Sequence, residues 1–136
     1  MFDKKCVIIV DETLPLGVIA NTAAVIAASF GRLFPEMIGD NLTDYLGHVH
    51  EGITTIALPI LKGTPELLKR MREQLREVES MIVVDLISAT RTTRSYEEYA
   101  AVLEQGPGEA IQYQGLGLIG DKKLVTKLTG NLGLLR

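Results

Sequence analysis

The sequence predicts an α/β fold: a single compact domain, residues 1–136, with a four-stranded mixed sheet and helices on both faces. Three observations carry this reading. Apolar runs suited to buried strands alternate with segments of helical pattern, in the order β-α-β-α-β-α-β-α. The 136 residues are enough for one domain to bury roughly two-thirds of its unfolded surface. Hydrophobic residues make up 46% of the chain, and no repeat or linker breaks the alternation.

The first strand is expected over residues 4–10, where "KCVIIV" is a continuous apolar run of the kind a sheet buries on both faces. Asp11 to Pro15 then turn the chain into a helix from Leu16 to Arg32. No charged residue occurs between Leu14 and Gly31, about the length that spans a bilayer. Pro15, Asn21, Thr22, Ser29 and the many alanines argue instead for a helix buried within the protein. A helix apolar almost all round needs cover on both sides. Its own sheet supplies one side and a second subunit is expected to supply the other, which makes the protein a homodimer.

Residues 39–52, "GDNLTDYLGHVHEG", are rich in turn formers and read as a loop or small hairpin. "ITTIALPIL" (53–61) reads as a strand with Pro59 at an edge or an end, because proline cannot donate to a ladder. Thr64-Pro65-Glu66 opens a helix to about Val78, with a cap, a proline at the first helical position and an acid in the first turn. Leu67, Leu68, Met71, Leu75 and Val78 form its apolar stripe. "MIVVDLI" (81–87) is the strongest strand signal. Ser95 to Glu98 is a capping box that opens a helix to Gln105, stopped by Gly106-Pro107-Gly108. "AIQYQGLGLIG" (110–120) is the last strand. A helix from Asp121 to Thr129 follows, with Gly130 suited to a left-handed cap. The tail "NLGLLR" is expected to fold back, so that Leu132, Leu134 and Leu135 complete the core.

Charge narrows the function classes. With 14 basic and 17 acidic residues the formal net charge is −3, and no cluster of Lys or Arg is dense enough for duplex or tRNA phosphate. No nucleic-acid partner and no membrane partner are expected. The apolar stretch after Lys5 is too short for a signal peptide and runs into Asp11-Glu12. The single cysteine, Cys6, lies inside an apolar run, which fits a core position and a cytoplasmic setting.

Several residues could carry chemistry. Gly115, Gly117 and Gly120 spell G-x-G-x-x-G, but only 16 residues follow Gly120, too few for the second strand of a dinucleotide unit. Leu116, Leu118 and Ile119 suit a buried strand instead. Asp11 and Asp85 each follow an apolar strand run. On parallel strands both would emerge at the rim where open α/β sheets bind ligands, and two nearby carboxylates can divide acid and base roles. His48 and His50 would share a face of an extended segment, yet zinc needs three or four ligands. Asn21, if buried, needs a partner for its amide. Arg91 and Arg94 could bind an anion. No Ser-His-Asp or Cys-His arrangement is visible, and no cofactor or metal set is expected.

The final stretch, "GLGLIGDKKLVTKLTGNLGLLR", resembles the end of type 2 peptidyl-tRNA hydrolases. The opening "CVIIVDETLPLGVIANTAAVIA" and the central "MIVVD" resemble their first strand and helix and their third strand. A closer likeness is to an uncharacterised bacterial family of unknown function, carried by "VDETLPLG", "HEGITT", "RSYEEY" and "LTGNLGLLR". The resemblance implies a peptidyl-tRNA hydrolase-like fold. It does not imply that activity: no lysine occurs between Lys5 and Lys62, and Leu86-Ile87-Ser88-Ala89 follows Asp85 where the hydrolases carry Gly-x-Thr-Gln. The expectation is a small-ligand-binding domain using Asp11, Gly17, Asn21, Thr54, Asp85 and His50. The alternatives are an ester or amide hydrolase, with Asp85 as general base and His50 as acid, and a protein-interaction module.

Overall fold

The computed structural model of the protein describes residues 2–106 and 111–136. In chain order its elements are β1 (Lys5–Asp11), α1 (Leu16–Leu33), a short arm of β2 (Leu42–Thr43) and β3 (Val49–His50), β4 (Ile60–Gly63), α2 (Pro65–Leu75), β5 (Ile82–Ile87), α3 (Tyr96–Gln105), β6 (Tyr113–Gly120) and α4 (Lys122–Thr129). Of the expected helix stop, Pro107 and Gly108 lie outside the described residues, as does Ala110 at the start of the expected last strand.

Four strands form one mixed sheet in the order β4-β1-β6-β5. β1 pairs with β4 in parallel and with β6 in antiparallel fashion, and β6 is also antiparallel to β5. β1 and β5 therefore point the same way on either side of β6. Every residue of β6 is buried, as a central strand covered on both faces must be. Val7, Ile9, Leu116 and Leu118 face one core with Leu68, Met71 and Leu75 of α2 and Val125 of α4. Cys6, Ile8, Val10 and Ile119 face the other with Ile19, Ile26 and Phe30 of α1.

The G-x-G-x-x-G stretch takes its meaning from this packing. A Cβ at Gly117 would overlap Ile26 and Phe30, and one at Gly115 would overlap Thr22. The glycines let α1 lie directly on β6. At the chain's end Gly133 accepts a hydrogen bond from the Lys62 amide and the Leu135 amide donates to Ile60, so the tail runs beside the outer edge of β4. Leu132 and Leu135 join the two cores, whereas Leu134 points outward, half-exposed.

Four further expectations about the elements need correction. The strand expected over 53–61 is confined to Ile60–Gly63, because residues 53–55 instead close the base of the arm, where Ile38 bridges Thr54 and the Thr55 amide donates to Met37. α2 stops at Leu75 rather than Val78. Gly130 closes α4 in the right-handed region, with φ −63°, so no left-handed cap is used. α1 is covered on one side only: Ile19, Thr22, Ala23, Ile26 and Phe30 are buried against the sheet, and the opposite face is open. By length and hydropathy α1 could cross a membrane, and only 22% of it is buried in this fold, less than the expected helix buried within the protein.

Candidate functional site

The carboxyl ends of β1 and β5 and the start of β6 meet at one rim of the sheet. A bulge there, between Leu86 and Ile87 of β5, gives β6 one extra residue, Gln114. The irregularity turns the Gln114 side chain into the α1 side of the sheet, where it is 2% exposed. Its Nε2 donates to Thr22 Oγ1 at 3.0 Å, and the Thr22 hydroxyl donates to the Val18 carbonyl at 2.7 Å. Its Oε1 accepts from Arg91 Nε at 3.0 Å. Arg91 can only donate, so the orientation of the amide is fixed by its partners.

Arg91 sits in the short 3-10 turn after β5, Ser88–Arg91. It lines a cleft of about 680 Å³ together with Ile87, Ser88, Thr92, Val102 and Ile111. That volume is in the range of small-molecule sites, and the walls combine apolar side chains with a few polar groups. Among the described residues no carboxylate lies within ion-pair distance of Arg91, whose Nε alone is occupied by Gln114. Nearby, Tyr99 of α3 accepts the Ile87 amide at 3.0 Å with its hydroxyl and ties α3 to the outer edge of β5. Burial, then the donated hydrogen bond and the Asp85 charge, act on that phenol, and the net effect raises its pKa.

The sequence-derived residues fall in three places. Asp11 is buried at the end of β1, where its Oδ1 accepts the Thr13 amide at 3.0 Å and the Thr13 hydroxyl at 2.6 Å. Asp85 lies within β5 rather than at its end, opposite Leu116, which is itself opposite Ile9. Its carboxylate accepts Arg72 Nε of α2 at 2.7 Å. With β6 between them, β1 and β5 run about 10 Å apart, and Asp11 lies two residues beyond the level of Asp85, so the two carboxylates are too far apart for a dyad. Gly17 and Asn21 occupy the open face of α1, so the Asn21 amide, for which burial would have demanded a partner, is exposed.

His50 and Thr54 belong to the arm. His50 Nε2 is 2.7 Å from Asp44 Oδ2, and Asp44 Oδ1 accepts the Leu46 and His48 amides. The His50 hydrogen bond, first, and the His48 amide hold the Asp44 pKa below its ordinary value. No group of three metal-ligating side chains occurs among the described residues. Cys6 is fully buried, and burial pushes its thiol up to about 11, which makes it a core residue rather than a nucleophile.

Sequence reasoning passed over Gln114 and Thr22. Gln114 stood in "AIQYQGLG" as an amide inside an apolar strand, and a buried amide demands partners. Its direction depends on a bulge that the residue pattern does not announce.

The family described as a protein of unknown function (DUF2000) matches residues 4–136. No curated protein matches the chain. Among solved structures, a protein of unknown function, Atu0240 from Agrobacterium tumefaciens strain C58, is similar to it: TM-score 0.87 and 21% identity, over 98% of each chain. At that identity the likeness speaks for the fold alone.

Proposed function

Because the chain belongs to the DUF2000 family, whose function is unknown, we propose a function from the site itself: a binding domain for a small anionic molecule with an apolar body. The observation that carries this is Arg91, held through Nε by the buried Gln114 amide at the wall of the 680 Å³ cleft. Its two terminal nitrogens supply a fork of donors suited to a carboxylate or phosphate. Ile87, Val102 and Ile111 supply apolar walls for the rest of the ligand. A cytoplasmic setting accords with the lone buried thiol.

We also read the fold as peptidyl-tRNA hydrolase-like. The sequence resemblance and the order β4-β1-β6-β5 support that placement. The activity is not part of the proposal. Asp85 is engaged by Arg72 under α2, His50 by Asp44 on the arm, and no contact joins them among the described residues.

Native mass spectrometry of freshly purified protein, repeated after denaturation, tests the binding reading, together with thermal shifts against a panel of small carboxylates and phosphates. The expected result is retained mass or a stabilising anion, with the response weakened tenfold or more in Arg91→Ala. A bare chain with no stabilising anion would overturn the reading. So would a response that survives Arg91→Ala intact.

A further inference from the structure

The arm and the open face of α1 are surfaces that the cleft does not use. The arm is built rather than loose. Met37 anchors it in the α1-side core, Gly39 donates to Ile53, the Gly52 amide donates to Asn41 Oδ1, and a Cβ at Gly52 would overlap the Gly39 carbonyl. At its tip Asp44 takes the Leu46 and His48 amides while Gly47, at φ 87°, makes the reversal. This order displays apolar side chains to solvent: Tyr45 is 95% exposed, Ile53 78%, and Leu42, Leu46 and Val49 more than half. Rigid apolar display of this kind marks an interface.

The open face of α1 has the opposite relief. Gly17, Ala20, Ala24 and Ala28 line it between Leu16 and Val25, with Asn21 as its one uncharged polar side chain and Arg32 at its C-terminal end. One element of the chain thus presents bulky apolar side chains and another a shallow face of mostly small residues, a relief into which such side chains fit. The area agrees. The chain exposes 8788 Å², whereas a closed monomer of 14.9 kDa exposes about 7000 Å². The surplus over the whole chain, roughly 1800 Å², is large enough to include the ~800 Å² that each partner contributes to a standard interface.

We infer that these surfaces pair two copies of this chain, the arm of each seated on α1 of the other. A two-fold axis makes that contact twice and closes the assembly. A membrane is the poorer occupant. The inward face of α1 is locked to the sheet through Ile26, Phe30 and the Thr22–Gln114 bond, and Arg32 is the only basic residue, histidines aside, between Lys5 and Lys62. An interfacial helix instead pairs large apolar side chains with a basic face.

Sedimentation of the full chain at micromolar concentration tests the inference. The wild type is expected at the mass of two chains. Tyr45→Glu and Ala24→Glu, both at exposed positions, are each expected at the mass of one, with unchanged far-ultraviolet circular dichroism. Tyr45→Cys mixed with Ala24→Cys should form a disulfide between chains. A single-chain wild type overturns the inference. A dimer that survives either variant overturns the seating of arm on helix. Flotation of the wild type with phosphatidylcholine–phosphatidylglycerol vesicles, lost in Tyr45→Glu, would assign the surface to lipid instead. The cleft is tested separately by Arg91→Ala, so failure of one reading leaves the other standing.

Discussion

Arg72 of α2 and Asp85 of β5 form an ion pair at 2.7 Å, with side chains 18% and 25% exposed. The pair joins a helix to the outer strand of the sheet on that face. Asp85→Ala leaves a guanidinium largely withdrawn from water without its partner. The cost is expected to be on the order of 1–3 kcal/mol, below that of a fully buried pair because solvent still reaches both groups. Urea unfolding of the variant measures it, and a loss under about 0.5 kcal/mol would make the pair an ordinary surface contact.

Gly117 is where α1 comes closest to the sheet. Its replacement by alanine places a Cβ against Ile26 and Phe30, both fully buried and unable to withdraw. Gly117→Ala is expected to destabilise the fold by about 1–3 kcal/mol, as overpacked cores do. Equal melting of variant and wild type would mean that α1 has room to shift.

Much of the fold was legible because its signals are local. A continuous apolar run such as "KCVIIV" marks a strand buried on both faces, and Thr64-Pro65-Glu66 marks a helix start, as observed at α2. The side chain of Thr64 does cap the Leu67 amide. What failed depends on partners distant in sequence. "ITTIALPIL" has strand composition, but its first residues are claimed by Met37 and Gly39 across the arm. The rim expected to gather Asp11, Asn21 and Asp85 came apart for the same reason, since strand order decides which side chains meet. β6 separates the two aspartates, and Asn21 follows the outward face of α1.

Asp44 makes the tip of the arm sensitive to acid. The His50 hydrogen bond, then the His48 amide, hold its folded pKa below the ordinary 3.8. A carboxylate with a depressed folded pKa lends its stabilisation above the unfolded value and loses it as pH falls through the folded one. Nuclear magnetic resonance titration of the Leu46 and His48 amides should therefore show one shared midpoint below 3.8. A midpoint at or above 3.8 would show that the His50 contact does not hold in solution.

Gln114 separates stability from positioning at the cleft. In Gln114→Leu the Thr22 hydroxyl keeps its bond to Val18, and Arg91, exposed at the surface, returns to water. No buried donor is orphaned and the volume is nearly kept, so the cost is expected to stay below about 1.5 kcal/mol. Anion binding should nevertheless fall as far as in Arg91→Ala, because the guanidinium has lost the group that aims it. Restoring the amide as Gln114→Asn would not rescue binding, since the side chain is one methylene too short to reach both Thr22 and Arg91. Isothermal titration with the anion found by the thermal screen reads this directly. If Gln114→Leu binds like the wild type while Arg91→Ala does not, the buried amide is a packing device and Arg91 orients itself.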